Sequence, residues 1–500
     1  MQTKTKWPLV MFAIGVFMAA LDNGIITSSL TTLIHSFSVS PTWGAWTITV
    51  YTLGLAISVP IVGKLSDRYG RKPLFLTEVA LFGVGSLLVA ISPNFVFFLC
   101  ARFIQALGGG GIFIIASSYV LNTVPLEKQG RALGMLGGMN GIAAILGPNM
   151  GSLILGLTGS WHWLFLINLP VAIVLVVVGW KTIHEQQTLT ESRLDMGGIA
   201  VLTVAIVCLM MAFTYLDGTD MASSLVSGSF LAFAAAGLIL FLLLYVQERR
   251  VMQKGEEPFL PFQLLRKPAF RLTLLLGFFS GAILASVIFI PGYVEQYLNI
   301  DSSLSGYWFT PLAIASGIGA GGGGAVVDRK GPIFTLVLAS SIAIVGFALF
   351  PLWVDSTWQM VIASCLVGLG FGSMMGAPIN VLVSEQAGGN KGMALAANSL
   401  FRQMGMVLAP TIYAGFLARA FAGFGRDGGA SGAGDATSMR EALSQLPPEK
   451  SQALMQMLHD VVGKGYNGLF TTSMVVSCAM LLTVVVLGIL RAKRPSSAEA

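Results

Sequence analysis

Three ionisable side chains stand inside long apolar runs of this chain: Asp22, Arg102 and Arg402. A charge in hydrocarbon is costly unless it is paired or hydrated, so each is a candidate for chemistry before packing. Asp22 lies about fourteen residues into the first run, roughly 20 Å along a helix. A carboxylic acid placed there can take a proton from one side and release it to the other; the plainer role is a hydrogen bond to a neighbouring helix. Arg102 enters the fourth run about six residues deep, within roughly 9 Å in depth of Asp22. A guanidinium can span such a gap, and when it pairs with a carboxylate it competes with the proton for it. We expect Arg102 in a proton-coupling network, with a helix-packing clamp as the alternative. Arg402 sits near the middle of its run with no acidic residue in the same helix. Its acceptor must lie elsewhere: backbone carbonyls, water, or Asp22 across an interface.

Two carboxylates lie nearer run ends. Glu295 belongs to Pro291-Gly292-Tyr293-Val294-Glu295-Gln296-Tyr297. Tyrosine ring faces attract organic cations, and a carboxylate neutralises them, so Glu295 is expected at a substrate or proton site. The alternative is an interfacial carboxylate facing water. Glu78, one turn into the third run, is expected to pair with the basic residues of segment 63–72 and ranks below the others.

The elements that carry these residues follow from composition. The chain has 500 residues, of which 55% are hydrophobic and 10% charged. Soluble domains carry about 25% charged residues, so the solvent here is lipid. Fourteen runs are long enough to cross about 30 Å of hydrocarbon. They cover 8–34, 44–62, 74–92, 96–122, 131–156, 164–183, 196–216, 225–246, 272–294, 306–327, 333–354, 357–383, 393–420 and 467–490. Lipid-exposed backbone must satisfy its own hydrogen bonds, which makes them helices. Lys and Arg cluster in the alternate connections that hold Lys64, Arg68, Arg71, Lys72, Lys128, Arg131, Arg249, Arg250, Arg266, Lys267, Arg329 and Lys330. The short connections between those lack them, which places both termini in the cytoplasm. The expected setting is a cell membrane, crossed many times, with lipid as a partner and the chain as a monomer. Segment 421–466 reads as the one large outer loop, Gly-rich from Ala422 to Gly434 and broken at Pro447-Pro448. A solvated loop with a short helix is expected there; a lid is the sharper alternative.

Cys100, Cys208, Cys365 and Cys478 all fall in apolar runs without metal-ligand spacing, and the four histidines are scattered. No metal or cofactor is expected. The net charge of +6 belongs to membrane anchoring, not to nucleic acid. No phosphate-binding Gly-x-x-x-x-Gly-Lys-Ser/Thr segment appears, so ATP is not the energy source, and no nucleophile–base arrangement suggests an enzyme.

One internal repeat is present. Gly63-Lys64-Leu65-Ser66-Asp67-Arg68-Tyr69-Gly70 recurs as Gly324-Ala325-Val326-Val327-Asp328-Arg329-Lys330-Gly331. Duplicated bundles in a membrane chain mark transporters. At Gly63 to Lys72, GKLSDRYGRK, the chain resembles the major facilitator superfamily, whose signature lies between helices 2 and 3. Arg102-Phe103-Ile104-Gln105-Ala106-Leu107-Gly108-Gly109-Gly110 resembles its helix 4 signature. Gly147-Pro148-Asn149-Met150-Gly151-Ser152 resembles its antiporter motif, departing at Ser152 and Ala143. Leu21-Asp22-Asn23, Trp161 to Pro170, and Glu257-Pro258-Phe259-Leu260 resemble the fourteen-helix drug/proton antiporter branch.

The resemblance implies an all-α major facilitator fold with two six-helix bundles, 1–185 and 251–500, and two inserted helices in 186–250. It implies that Gly63, Asp67, Arg68, Gly70, Arg71, Asp328 and Arg329 form a conformational latch in cytoplasmic turns. Asp67 is expected to favour the N-terminal end of helix 3. Gly147, Pro148 and Gly151 are expected to give a kinked, small-faced helix that another helix approaches closely. The implied function is proton-driven export of lipophilic, often cationic, drug-like compounds. The alternatives are a dedicated transporter of one metabolite, siderophore or natural antibiotic, and a transporter-like sensor without flux.

Overall fold

In a computed structural model, the described residues are 3–44, 46–183, 196–253, 262–300, 306–388, 391–428 and 448–492. Among them there are helices and turns and no strand. The principal helices are α1 Thr3–Phe37, α2 Trp46–Tyr69, α3 Arg71–Ala90, α4 Phe95–Gly109, α5 Ile112–Thr123, α6 Leu126–Thr158, α7 Asn168–Thr182 and α8 Met196–Thr214. They continue with α9 Gly228–Gln253, α10 Pro268–Val287, α11 Thr310–Trp353, α12 Thr357–Met375, α13 Pro378–Ala387, α14 Lys391–Gly428 and α15 Pro448–Ala492. Twelve helical stretches among the described residues are long and apolar enough to cross a membrane, or thirteen with the bent pair in α6.

Helix α11 has 44 residues, about 66 Å if straight, more than twice the hydrocarbon thickness of about 30 Å. It is not straight: Gly331 has φ 82 and ψ 168. Gly70, between α2 and α3, has φ 90 and ψ 165. Both glycines therefore occupy a region closed to residues with a Cβ, and both end a copy of the repeated sequence. Each is a one-residue joint between two helices.

Several helices depart from the predicted runs. The fourth run breaks at Gly110-Gly111 between α4 and α5, and the run 357–383 breaks at Gly376-Ala377 between α12 and α13. Asp67 and Arg68 are not in a turn. They lie in the last turn of α2, because the joint is Gly70 alone. Segment 421–466, predicted as a solvated loop with a short helix, is helical at both ends, since α14 runs to Gly428 and α15 begins at Pro448. Polar composition ended the predicted spans there, but a helix can leave the bilayer without unwinding, and proline is well suited to a helix's first turn. Residues 429–447 and the motif Glu257 to Leu260 lie outside the described residues.

In the first half of the chain α1 packs on α6, α2 on α4, and α3 on α4 and α7. In the second half α10 packs on α14, and α11 on α12 and α15. The halves meet where α6 lies along α11 and α2 along α14. Helix α8 touches both α2 and α14, and α9 packs chiefly on α8, leaving Leu238, Ile239, Leu242 and Leu243 exposed. Such a face suits lipid.

Glycines set the distance between the halves. A Cβ on Gly63 would meet Ala396 at 2.6 Å and the Gly392 carbonyl at 2.9 Å. One on Gly134 would meet Gly324 at 3.1 Å, and one on Gly137 would fall on the Cα of Gly376. These are backbone-to-backbone approaches, possible only where side chains are absent.

Candidate functional site

Asp22, Arg102, Gln105, Asn168 and Ser86 form one buried polar cluster in the first half. Arg102 Nη1 donates to Asp22 Oδ2 at 2.7 Å and to Gln105 Oε1 at 2.7 Å. Gln105 Nε2 donates to Asp22 Oδ1 at 2.9 Å and to Ser86 at 2.7 Å. Asn168 Nδ2 also donates to Asp22 Oδ1, at 2.9 Å. The carboxylate therefore receives donors from α4 and α7 while carried on α1. The pair's side chains have 0% exposure, so the attraction is little screened, and removing one partner strands the other. Arg102 Nε and Nη2 find no hydrogen-bond acceptor, and the guanidinium carbon lies 4.0 Å from the centroid of the Tyr51 ring. A cation over a ring face is attracted by its quadrupole.

Tyr51 has a second neighbour. With Asn23, Leu55, Phe113 and Asn140 from the first half, and Leu284, Met375, Ser399, Arg402 and Gln403 from the second, it lines a cavity of about 150 Å³. Asp22 and Arg102 are thus one aromatic ring away from a space shared by both halves. Arg402 lines this cavity and does not reach Asp22, whose carboxylate is taken by Arg102. Its guanidinium donates to Ser399 Oγ at 3.3 Å and lies 5.3 Å from the Phe113 ring centroid.

The repeated segments cross between the halves at the end where α2 meets α14. Asp67 accepts from the backbone N–H groups of Gly392 at 3.1 Å and Met393 at 3.2 Å, and from Arg71 Nη2 at 3.3 Å. Its helix N-terminus is that of α14, not helix 3 as expected, because the last turn of α2 aims the carboxylate across the interface. Asp328 accepts from the N–H groups of Gly130 at 2.7 Å and Arg131 at 3.1 Å in the first turns of α6. Carboxylates suit these amide ends by hydrogen bonding and by helix dipole. Arg71 also donates to Ser118 at 3.3 Å, and Lys391 donates to the Leu121 carbonyl at 2.9 Å. Gly63 of α2 is the residue that approaches α14 closely. Arg68 packs on Tyr69 at 5.3 Å, and Arg329 is exposed, so neither touches the opposite half through a described ion pair.

A charged hydrogen bond to backbone contributes about 1.5–3 kcal/mol. The double variant Asp67→Asn with Asp328→Asn is therefore expected to open this end far more often than either single variant. Distances between spin labels on the two halves, measured in nanodiscs by pulsed electron resonance, read this directly. An unchanged distribution in the double variant would remove the latch role.

The kink is at α6, where Leu126–Ala144 and Leu146–Thr158 are bent by 45°. Pro148 lacks an N–H to donate to Ala144, four residues earlier, and its ring crowds that carbonyl. The bend presents Gly147 to α1: a Cβ on Gly24 would meet Gly147 at 2.8 Å and the Ala144 carbonyl at 2.8 Å. Gly24 is two residues from Asp22, so the kink packs beside the buried pair. Gly151 is buried on the same helix.

Glu295 is half-buried in the short helix Ile290–Gln296, and it is not among the residues lining the shared cavity. Its tyrosine neighbours do not form an open cage. Tyr293 is buried, donates to the Val354 carbonyl at 3.1 Å, and packs its ring on Tyr297, Phe350, Tyr466 and Phe470. Glu78 does not turn to the basic segment 63–72. It is 5% exposed and accepts from the Gly111 N–H at 3.0 Å, capping the break between α4 and α5. The sequence offers Gln105 and Asn168 only as members of the motifs Arg102 to Gly110 and Trp161 to Pro170, without a role, and does not mark Ser86 or Tyr51. The available signal was Gln105 one turn from Arg102, and Asn168 alone in an apolar run. Among the described residues no group of His, Cys, Asp and Glu is placed to hold a metal ion.

The family model described as Major Facilitator Superfamily matches residues 12–218 and 196–410. The chain is 52% identical to an uncharacterized MFS-type transporter, YfiU, of Bacillus subtilis, over 99% of each chain. It is 29% identical to Multidrug resistance protein 3 of the same organism, over 98% of this chain and 97% of the relative. Its fold resembles the E. coli fucose:proton symporter with a TM-score of 0.61 at 14% identity, over 96% and 98% of the two chains.

Proposed function

The chain belongs to the major facilitator superfamily, and from that premise we propose that it exports lipophilic, drug-like compounds in exchange for protons. The observation that carries this reading is the Asp22–Arg102 pair, buried and one ring from a cavity lined by both halves. Proton and guanidinium compete for one carboxylate. When a proton takes Asp22, Arg102 loses its counter-charge, and the packing around Tyr51 at the cavity wall must adjust. That couples proton occupancy to the shape of the cavity.

The transport cycle in this reading is alternating access in a cell membrane, with both termini in the cytoplasm and the chain acting as a monomer. Residues 1–185 and 251–500 move as six-helix bundles, with 186–250 supplying two inserted helices. Fourteen crossings follow when α11 is divided at Gly331 and bent α6 counts as one. The Asp67 and Asp328 contacts hold the cytoplasmic end shut, and their release opens the cavity inward. The multidrug relative supports export of varied cargo.

A second reading has its own support. The cavity is about 150 Å³, below the roughly 300–1,000 Å³ of drug-sized sites, and its wall carries Asn23, Asn140, Ser399, Arg402 and Gln403. Five polar side chains around so small a space also suit one dedicated metabolite or natural antibiotic.

The test is reconstitution in proteoliposomes with an imposed pH gradient and a panel of lipophilic dyes and antibiotics. Uphill movement of several compounds, each with a matching proton flux, is the expected result. Movement of a single compound favours the dedicated transporter, and substrate flux without proton flux overturns the coupling.

A further inference from the structure

We infer that the central cavity recognises an acidic group on its cargo, a carboxylate or sulfonate, through Arg402. This rests on the reading of the cavity as the transport site. A guanidinium stays charged at neutral pH. In a membrane interior it must be paired or hydrated. Arg102, the other interior guanidinium, is paired at 2.7 Å. Arg402 is not: among the described residues no carboxylate lies at ion-pair distance, and its polar contact is Ser399 at 3.3 Å. The cavity wall itself contains no Asp or Glu.

Other groups beside Arg402 are also unsatisfied. Ser117 Oγ and Asn398 Oδ1 are buried without a partner, and both line a void of about 10 Å³ that shares Phe113, Ser399 and Arg402 with the main cavity. Gln403 Oε1, on the cavity wall, is orphaned as well; it and Asn398 Oδ1 are acceptors, which call for water or a cargo hydroxyl and add nothing to anion binding, so the anion donors are the hydroxyls and Arg402. The Ser117 and Ser399 hydroxyls can each donate to an anion, because Ser399 meets Arg402 only as an acceptor. Two hydroxyls beside a planar guanidinium make a set of donors suited to a two-oxygen acid group, which a guanidinium grips with two parallel bonds. Leu55, Phe113, Leu284 and Met406 supply apolar wall for the rest of the molecule. A lipophilic cation, by contrast, would bring a second positive charge against Arg402 with nothing on the wall to neutralise it. The expected preference is therefore for amphipathic acids over amphipathic cations.

Three probes of one body separate charge from size: 1-naphthylacetate, 2-(1-naphthyl)ethanol and 1-naphthylmethylammonium. Their binding is measured on the purified full-length protein in detergent by thermal stabilisation, for wild type, Arg402→Lys and Arg402→Gln. Wild type should bind the acid at least about tenfold more tightly than the cation, a difference of about 1.4 kcal/mol. Arg402→Gln should lose about tenfold for the acid while the alcohol changes little, and Arg402→Lys should fall between, keeping the charge and losing the fork. Unchanged alcohol binding reports an intact cavity. The inference is overturned if wild type fails to bind the acid, if it binds the cation as well as the acid, or if Arg402→Gln keeps acid affinity. Proton-driven export is scored separately in proteoliposomes. Acid binding that depends on Arg402 without any uphill flux sinks the transport reading alone. Uphill flux of cations that is indifferent to Arg402→Gln sinks this inference alone.

Discussion

Asp22→Asn is expected to reduce uphill, proton-driven transport by at least about a hundredfold while leaving downhill exchange of cargo measurable. An amide cannot carry the proton, so energy coupling is lost at its source. The substitution also harms the fold. Asp22 accepts from Arg102, Gln105 and Asn168, and an Asn offers one acceptor oxygen where the carboxylate offered two. Its NH₂ would then face a donor. Breaking a buried pair by removing one partner costs about 3–5 kcal/mol, mostly because the other charge stays behind. A second variant separates the two effects. Asp22→Asn with Arg102→Met removes both charges, and stability should recover by several kcal/mol because the stranded cation is gone. Coupling should not recover. Thermal unfolding gives the first quantity, and uphill against downhill flux in the same vesicles gives the second. Wild-type uphill flux in either variant would remove Asp22 from the proton path.

Gly137→Val should move the protein out of the conformation described here. The added Cβ falls on the Cα of Gly376, and backbone cannot rotate away as a side chain would. Overpacking a tight contact costs about 1–3 kcal/mol, whereas replacing glycine inside a helix returns at most about 0.5 kcal/mol. The packing term wins by about 0.5–2.5 kcal/mol, so the end tied by Asp67 and Asp328 should open, changing the ratio of states by about two- to seventyfold. Gly156→Val on the same helix is the control, since a Cβ there meets nothing within 4 Å. Spin-label distances across the halves should lengthen for Gly137→Val and stay unchanged for Gly156→Val. Equal behaviour of the two would mean that this glycine contact does not set the conformation.

Charges in apolar surroundings were legible from sequence because they are rare there. Asp22 and Arg102 could be picked out by that alone, and helical rise put them at similar depth. Their partners were not legible. Gln105, Asn168, Ser86 and Tyr51 are uncharged, and many such residues sit in these helices for packing. The basic segment nearest in sequence is the obvious partner for Glu78, but its partner is the Gly111 amide, which is free of helix bonding because the helix breaks there. Glu295 drew attention through its tyrosines, and those rings are occupied with one another. Charge and motif also gave the wrong partner for Asp67. The dipole argument was sound, but several helix ends were available, and only the packing of α2 on α14 selects one. The repeat was legible as a string, yet its shared backbone angles at Gly70 and Gly331 were not.

Those two glycines leave no slack. A loop of several residues lets its flanking helices slide independently, but a one-residue joint offers two torsions, both committed to a geometry other residues avoid. Helices α2 and α3 are therefore tied end to end as a jointed lever whose arms cannot slide apart, and so are the two arms of α11. Each lever carries its aspartate within one turn of the pivot. Movement at the far arm of either lever is delivered to the fastening carboxylate with little loss, and swapping either glycine for a longer, looser linker should uncouple the arms before it disturbs anything else.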